Sequence, residues 1–165
     1  MNFTLKEYFY KLSNRSLILM LLPIVAFLSI YYLLLSGILP TIVRSELWVV
    51  ILLTFVPIAV LISLTIVHLG LRSECKIIGE EVGLGRKLEL FYPVAKRKIN
   101  SLVWASFVLA GGFFLTAHEW FSIYFGVVIV WSWVQWPSPR RACNDLNLKG
   151  DEREMVMSKG EAFKM

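Results

Sequence analysis

The sequence predicts an all-α integral membrane protein whose four transmembrane helices form two hairpins joined by a basic cytoplasmic loop. Apolar residues make up 57% of the 165 residues, and the mean hydropathy is +0.65. These residues are gathered into long stretches without Asp, Glu, Lys or Arg, which is the composition of membrane-spanning helices. Sixteen of the seventeen Lys and Arg lie in three polar segments, 1–16, 71–100 and 137–165. We therefore expect no separate soluble domain.

This distribution of cations also predicts the orientation. By the positive-inside rule, short segments rich in Lys and Arg beside membrane spans stay in the cytoplasm. The leader 1–16, the loop 71–98 and the tail 137–165 then lie in the cytoplasm, and only Arg44 lies outside. We expect a multi-pass protein of the bacterial inner membrane with both termini cytoplasmic.

The first predicted span covers residues 17–39. Its 23 uncharged residues extend about 35 Å as a helix, enough to cross a hydrocarbon core of about 30 Å. A cleaved signal peptide is the alternative, but its apolar core has only about 7–15 residues. The leader 1–16 is either a short interfacial helix or a solvated basic segment.

The second predicted span, residues 47–70, follows an outward turn at 40–46. Pro57 lies near its middle and leaves one backbone carbonyl without its usual partner. Lipid cannot hydrate that carbonyl, so a neighbouring helix or the Thr54 hydroxyl must compensate. This need favours packed helices over isolated spans.

The loop 71–98 begins with a helical pattern and ends with a basic run. Apolar residues recur every three or four positions, which predicts that the second helix continues beyond the membrane: Leu71, Cys75, Ile78 and Val82. We expect residues 83–85, Gly-Leu-Gly, to end this helix. They do not predict a phosphate-binding loop, because the glycines lack its spacing. Lys96, Arg97 and Lys98 adjoin the next span, where each can gain about 1 kcal/mol from anionic head groups.

The third and fourth predicted spans, residues 99–117 and 120–136, are rich in small residues. Such residues let helices approach closely in lipid, and we expect the following to pack between the two helices: Ser106, Ala110, Gly111, Gly112, Ser122 and Gly126. Trp120 and Trp136 lie at the two ends of the fourth span, where interfacial aromatic residues are common.

In the tail 137–165, Ser138 and Pro139 are expected to begin a short helix that carries Arg140 and Arg141. The two arginines are further candidates for contact with anionic head groups or a protein partner. Several apolar residues can dock the tail against the rest of the protein: Leu146, Leu148, Met155, Val156 and Met157. Cys75 and Cys143 fall in cytoplasmic segments, so we expect free thiols.

No span has an ionisable residue at its centre, which argues against proton- or ion-coupled transport. His68 and His118 lie on opposite sides of the predicted membrane and cannot share a metal or haem. No metal or nucleophile motif is present, so we expect no catalytic residue, no cofactor and no metal. Nucleic acid is not an expected partner, because the cations lie beside spans and no recognition motif accompanies them.

Three functions stay open. The first is a non-catalytic accessory or scaffold subunit, which forms homo-oligomers or pairs with another membrane protein and presents a cytoplasmic face. The second is an oligomeric carrier or channel for a lipid-like or uncharged solute. The third is an enzyme that modifies a membrane lipid. We favour the first, because the charge-free spans suit a framework and the adaptable residues lie on one side.

Overall fold

The computed structural model describes residues 4–158, which form six α-helices and no β-strand. The helices are α1 (Leu5–Leu35), α2 (Glu46–Glu80), α3 (Leu84–Thr116), α4 (Trp120–Val134), α5 (Pro139–Asp145) and α6 (Gly150–Met157). By length and composition, α1, α2 and α3 are able to cross a membrane. The predicted all-α class is confirmed. Residues 1–3 of the predicted leader and 159–165 of the predicted tail lie outside the described residues.

Helix α4 is shorter than the predicted fourth span, 120–136. Its 15 residues extend about 22 Å, less than the roughly 30 Å of a hydrocarbon core. It stops at Val134, and the side chain of its C-cap residue, Gln135, is buried. The structure thus shows three helices long enough to span a membrane, and the four-span arrangement stays a prediction.

Helix α1 joins the predicted leader and the first span without a break. Thr4 caps it: its hydroxyl accepts a hydrogen bond from the Glu7 backbone N–H at 3.3 Å, and the Glu7 carboxylate accepts one from the Thr4 N–H at 3.2 Å. Tyr8, Phe9 and Leu12 are buried. The apolar face of the leader therefore packs against protein, which excludes a fully solvated segment.

Helix α3 is central, because α1, α2 and α4 all pack against it. Of its most apolar 18 residues 56% are buried, whereas the corresponding shares of α1 and α2 are 17% and 11%. Aromatic rings fill the space between helices: Phe27 stacks on Phe125 with 4.2 Å between ring centroids and lies 5.0 Å from Phe113. Helices α1 and α2 turn most of their apolar surface outward, as expected for helices in lipid.

Residues 71–98, predicted as a loop, are helical except for a short turn. Helix α2 continues to Glu80, as the apolar stripe predicts. Val82 was expected to extend that stripe, but it lies beyond the helix and is 92% exposed. The turn includes Gly83, whose φ of +92° favours glycine, and α3 begins at the next residue.

The first half of α3 occupies the rest of the predicted loop. Its buried residues recur every three or four positions, which is the spacing of an amphipathic helix: Leu88, Phe91, Val94 and Ala95. Gly85 was predicted to help end a helix but lies inside α3. The sequence analysis did not predict this helix, because the many charged residues between the buried positions obscure the stripe.

The start of α1, the end of α2, the first half of α3, α5 and α6 lie together, and we call this part of the molecule the polar end. It has its own core of fifteen buried residues, drawn from all five helices and the α5–α6 connection: Tyr8, Phe9, Leu12, Leu71, Cys75, Ile78, Leu88, Phe91, Val94, Ala95, Ala142, Cys143, Leu146, Leu148 and Val156. The tail docks as predicted through Leu146, Leu148 and Val156, whereas Met157 is exposed.

Candidate functional site

A cleft of about 380 Å³ opens at the polar end between α2, α3 and α5. Four cations line it, Arg72 and Lys76 from α2, Lys98 from α3 and Arg141 from α5. Asp145 is the one acidic residue among the described residues that line it. We call it the cationic cleft.

Helical spacing brings the α2 side chains into the cleft. His68, Arg72 and Lys76 follow one another at intervals of four residues, so they share one face of α2. In α5, the Ser138 hydroxyl accepts a hydrogen bond from the backbone N–H of Arg141 at 3.2 Å. This N-cap fixes the start of α5, as predicted, and places Arg141 on its first turn.

Two contacts hold Arg141 in position. Its Nη2 donates to Oε1 of Gln135 at 2.6 Å, and its Nε lies 3.6 Å from a carboxylate oxygen of Asp145. The second oxygen of Asp145 accepts from Lys98 Nζ at 3.3 Å. The Nε atom of Arg141 is buried and has no hydrogen-bond acceptor within the described residues. The Asp145 carboxylate therefore meets this N–H as an ion pair, at a distance slightly too long for a hydrogen bond.

The charges of the cationic cleft do not balance. Asp145 offers one negative charge to Lys98 and Arg141, while Arg72 and Lys76 are exposed and form no ion pair with a described residue within 4.0 Å. Apolar side chains form the rest of the wall, including Leu71, Val94 and Ile99. The cleft is thus a partly apolar recess with excess positive charge, a combination that attracts anions.

Other ion pairs hold the helices of the polar end together. Arg97 donates to both carboxylate oxygens of Glu74, at 3.0 and 2.8 Å, and so links α3 to α2. Lys87 Nζ lies 2.7 Å from Glu152 and links α3 to α6; the Lys87 side chain is only 10% exposed. These pairs link helices, and their residues do not line the cleft.

The predicted contact residues lie in different environments. Lys98 and Arg141 line the cationic cleft, whereas Arg97 is paired with Glu74. Lys96 is half-buried and Arg140 exposed, and neither lines the cleft. Four further polar residues line the cleft but were not among the predicted contact residues: Arg72, Lys76, Gln135 and Asp145. The four-residue spacing from His68 through Lys76 was the available signal for the first two.

The predicted packing residues of α3 differ in environment. Ser106 and Ala110 are buried, and the Ser106 hydroxyl donates to the Leu102 carbonyl at 2.9 Å. Gly112 faces α4: a Cβ atom there would lie 2.7 Å from Cζ of Phe121. A Cβ at Gly111 would meet no atom of the described residues within 4 Å, so Gly111 does not face α4 as Gly112 does.

The two small residues of α4 also differ in environment. Gly126 is exposed, and a Cβ added there would meet no atom within 4 Å. Ser122 is half-buried, with a hydroxyl that has no hydrogen-bond partner within the described residues. The close approach of α3 and α4 instead involves a glycine and an aromatic ring, because Phe121 is fully buried against Gly112.

Cys75 and Cys143 are both free and buried. Burial raises the pKa of the Cys143 thiol above its ordinary value, which makes it a weak nucleophile at neutral pH. At the opposite end of the molecule, His118 Nδ1 accepts a hydrogen bond from the Trp120 backbone N–H at 3.5 Å. Within residues 4–158, no group of three or more His, Cys, Asp or Glu is arranged to hold a metal ion.

Comparisons with known proteins find no matching family model, no similar curated protein and no similar solved structure. The fold and the cleft therefore define the molecule by its architecture: an all-helical protein with three helices able to span a membrane and a polar end that has its own core.

Proposed function

We propose that the protein is a four-span protein of the bacterial inner membrane, with the polar end and both termini in the cytoplasm. The charge distribution supports this orientation, because Arg44 is the one Lys or Arg between α1 and α2 or between α3 and α4. Local thinning of the bilayer would let the short helix α4 cross.

Cysteine labelling in intact cells tests the orientation. Cys75 and Cys143 are poor reporters because both are buried, so Ser45→Cys and Val82→Cys provide exposed thiols at the two ends. A membrane-impermeant maleimide should label the Ser45→Cys protein in intact cells and the Val82→Cys protein only after lysis. The reverse pattern would show that the polar end faces outward.

We propose that the protein acts as a non-catalytic accessory or scaffold subunit through its polar end. The folded core of the polar end is the observation that carries this proposal: fifteen buried residues join five helices into one preformed body. A surface fixed in advance loses little conformational entropy on binding, which favours recognition of a partner. The cationic cleft and the exposed cations around it suit an acidic protein surface or anionic head groups.

Complementation of a gene knockout tests this function. The double variant Arg72→Gln/Lys76→Gln removes two exposed cations from the cationic cleft. The matched control, Arg86→Gln/Lys149→Gln, removes two exposed cations of the polar end that lie outside it. We expect the cleft variant to fail to rescue the knockout. The control variant should retain most of the rescue seen with wild type.

A second pair of residues provides the opposite test. His118→Ala/Glu119→Ala changes the polar corner at the other end of the molecule and should rescue the knockout as well as wild type. If this variant fails to rescue while the cleft variant succeeds, the working surface lies at that corner and the proposal is wrong. Membrane fractions probed for each variant exclude differences in protein level as the cause.

A further inference from the structure

The excess charge of the cationic cleft points to a ligand. Four cations line the cleft against one carboxylate, that of Asp145. Three different helices supply them, so they converge on one volume instead of spreading along a single helix face. Like charges brought together repel one another unless an anion lies between them.

The fixed orientation of Arg141 also points to an anion. Its guanidinium is oriented by Gln135, whose side chain is buried, and by Asp145. The Arg141 side chain nevertheless stays 31% exposed and lines the cleft. A guanidinium that is held in this way and lines the cleft is well suited to the oxygens of a phosphate.

We propose that the cationic cleft binds one phosphate-bearing anion, with Arg141 donating to a phosphate oxygen and Arg72, Lys76 and Lys98 neutralising its charge. This inference rests on the proposed function, since it gives a ligand to the same polar end. A volume of about 380 Å³ falls within the range of about 300–1,000 Å³ that is usual for small-molecule sites.

The position of the cleft favours the head group of an anionic phospholipid as the source of the phosphate. His68 and Ile99 line the cleft at the point where the charge-free stretches of α2 and α3 meet the polar end. In the proposed orientation this is the level of the inner head groups. Leu71 and Val94 add apolar wall, which suits the glycerol and first carbons of a lipid.

Native mass spectrometry of the full-length protein in detergent tests the proposal, with phosphatidylglycerol as the lipid probe and phosphatidylcholine as the zwitterionic comparison. Wild type should bind one phosphatidylglycerol saturably and prefer it to phosphatidylcholine. Arg72→Gln/Lys76→Gln should weaken this binding at least about tenfold, because each charge-assisted contact is worth about a factor of ten. Arg86→Gln/Lys149→Gln, which lowers the net charge equally, should bind like wild type.

Calorimetric titration with glycerol 3-phosphate distinguishes a lipid from a soluble source. If glycerol 3-phosphate binds with one equivalent and the cleft variant no longer binds it, the proposed site is supported. The ligand is then a soluble phosphate compound and not a lipid. The proposal is overturned if neither probe saturates at one equivalent, or if the cleft and control variants weaken equally. Because both variants change exposed residues, their unfolding temperatures should match wild type; if the cleft variant unfolds, Lys76→Gln alone replaces it.

The phosphate site and the proposed function can be wrong independently of each other. If the purified protein binds no phosphate probe but the cleft variant still loses rescue of the knockout, the polar end works through another partner and only the phosphate site is wrong. If binding behaves as expected but the cleft variant rescues fully, the site exists and the proposed role of the cleft is wrong.

Discussion

Replacing Gly112 with alanine should destabilise the packing of α3 against α4. The added Cβ would lie 2.7 Å from Cζ of Phe121 and 2.8 Å from Cδ1, well inside van der Waals contact. Phe121 is fully buried, so its ring has little freedom to move away. Overpacking of this kind costs about 1–3 kcal/mol.

Gly111→Ala is the matched control, because a Cβ at Gly111 meets no atom within 4 Å. Both substitutions replace a helical glycine with alanine and gain up to about 1 kcal/mol of helix propensity. This gain cancels when the two variants are compared, so their difference isolates the contact with Phe121. We expect Gly112→Ala to be less stable than Gly111→Ala by about 1–3 kcal/mol.

Thermal unfolding in detergent measures this difference. For a chain of this size 1 kcal/mol corresponds to about 2–4 °C, so Gly112→Ala should unfold at least about 2 °C below Gly111→Ala. Phe121→Leu should recover part of the loss when combined with Gly112→Ala, because a smaller side chain relieves the contact. Equal unfolding temperatures for the two glycine variants would refute the close approach.

Three further predictions concern the polar end. Glu152→Ala should lower the free energy of unfolding by about 1–3 kcal/mol in chemical denaturation, because Lys87 is left largely buried without its partner; Glu89→Ala, in an exposed pair, should cost less than about 1 kcal/mol. Cys143 should react slowly with iodoacetamide at neutral pH and faster as pH rises, because burial raises its pKa and keeps the thiol protonated. Val156→Ala should expose α6 to limited proteolysis, since Val156 is fully buried.

Much of the fold was predictable from hydropathy, because long charge-free stretches leave few alternatives to helices. The N-cap at Ser138 and the extension of α2 followed from local rules of sequence. The helical first half of α3 did not, because the six charged residues from Arg86 to Lys98 resemble a solvated loop. Its apolar stripe becomes clear once Tyr8 and Leu12 of α1 are known to cover it.

The candidate site was only half predictable, for a different reason. Lys98 and Arg141 were predicted as contact residues because they belong to basic runs. Arg72 and Asp145 belong to no such run, and the cleft exists because the tail folds back beside α2. Contacts between residues so far apart in sequence depend on tertiary packing, which local periodicity does not specify. The same limit explains why Gly112 and Phe121 meet while Gly126 faces away.

The unbroken length of α2 has a mechanical consequence. Its 35 residues make a helix of about 52 Å, which runs from the turn before Glu46 to the far side of the cationic cleft. Helix α3 is nearly as long, and only residues 81–83 separate the two. The pair therefore forms one long helical hairpin whose closed end lies at the polar end. A ligand that contacts both Arg72 of α2 and Lys98 of α3 would therefore bridge the two arms of this hairpin near its closed end.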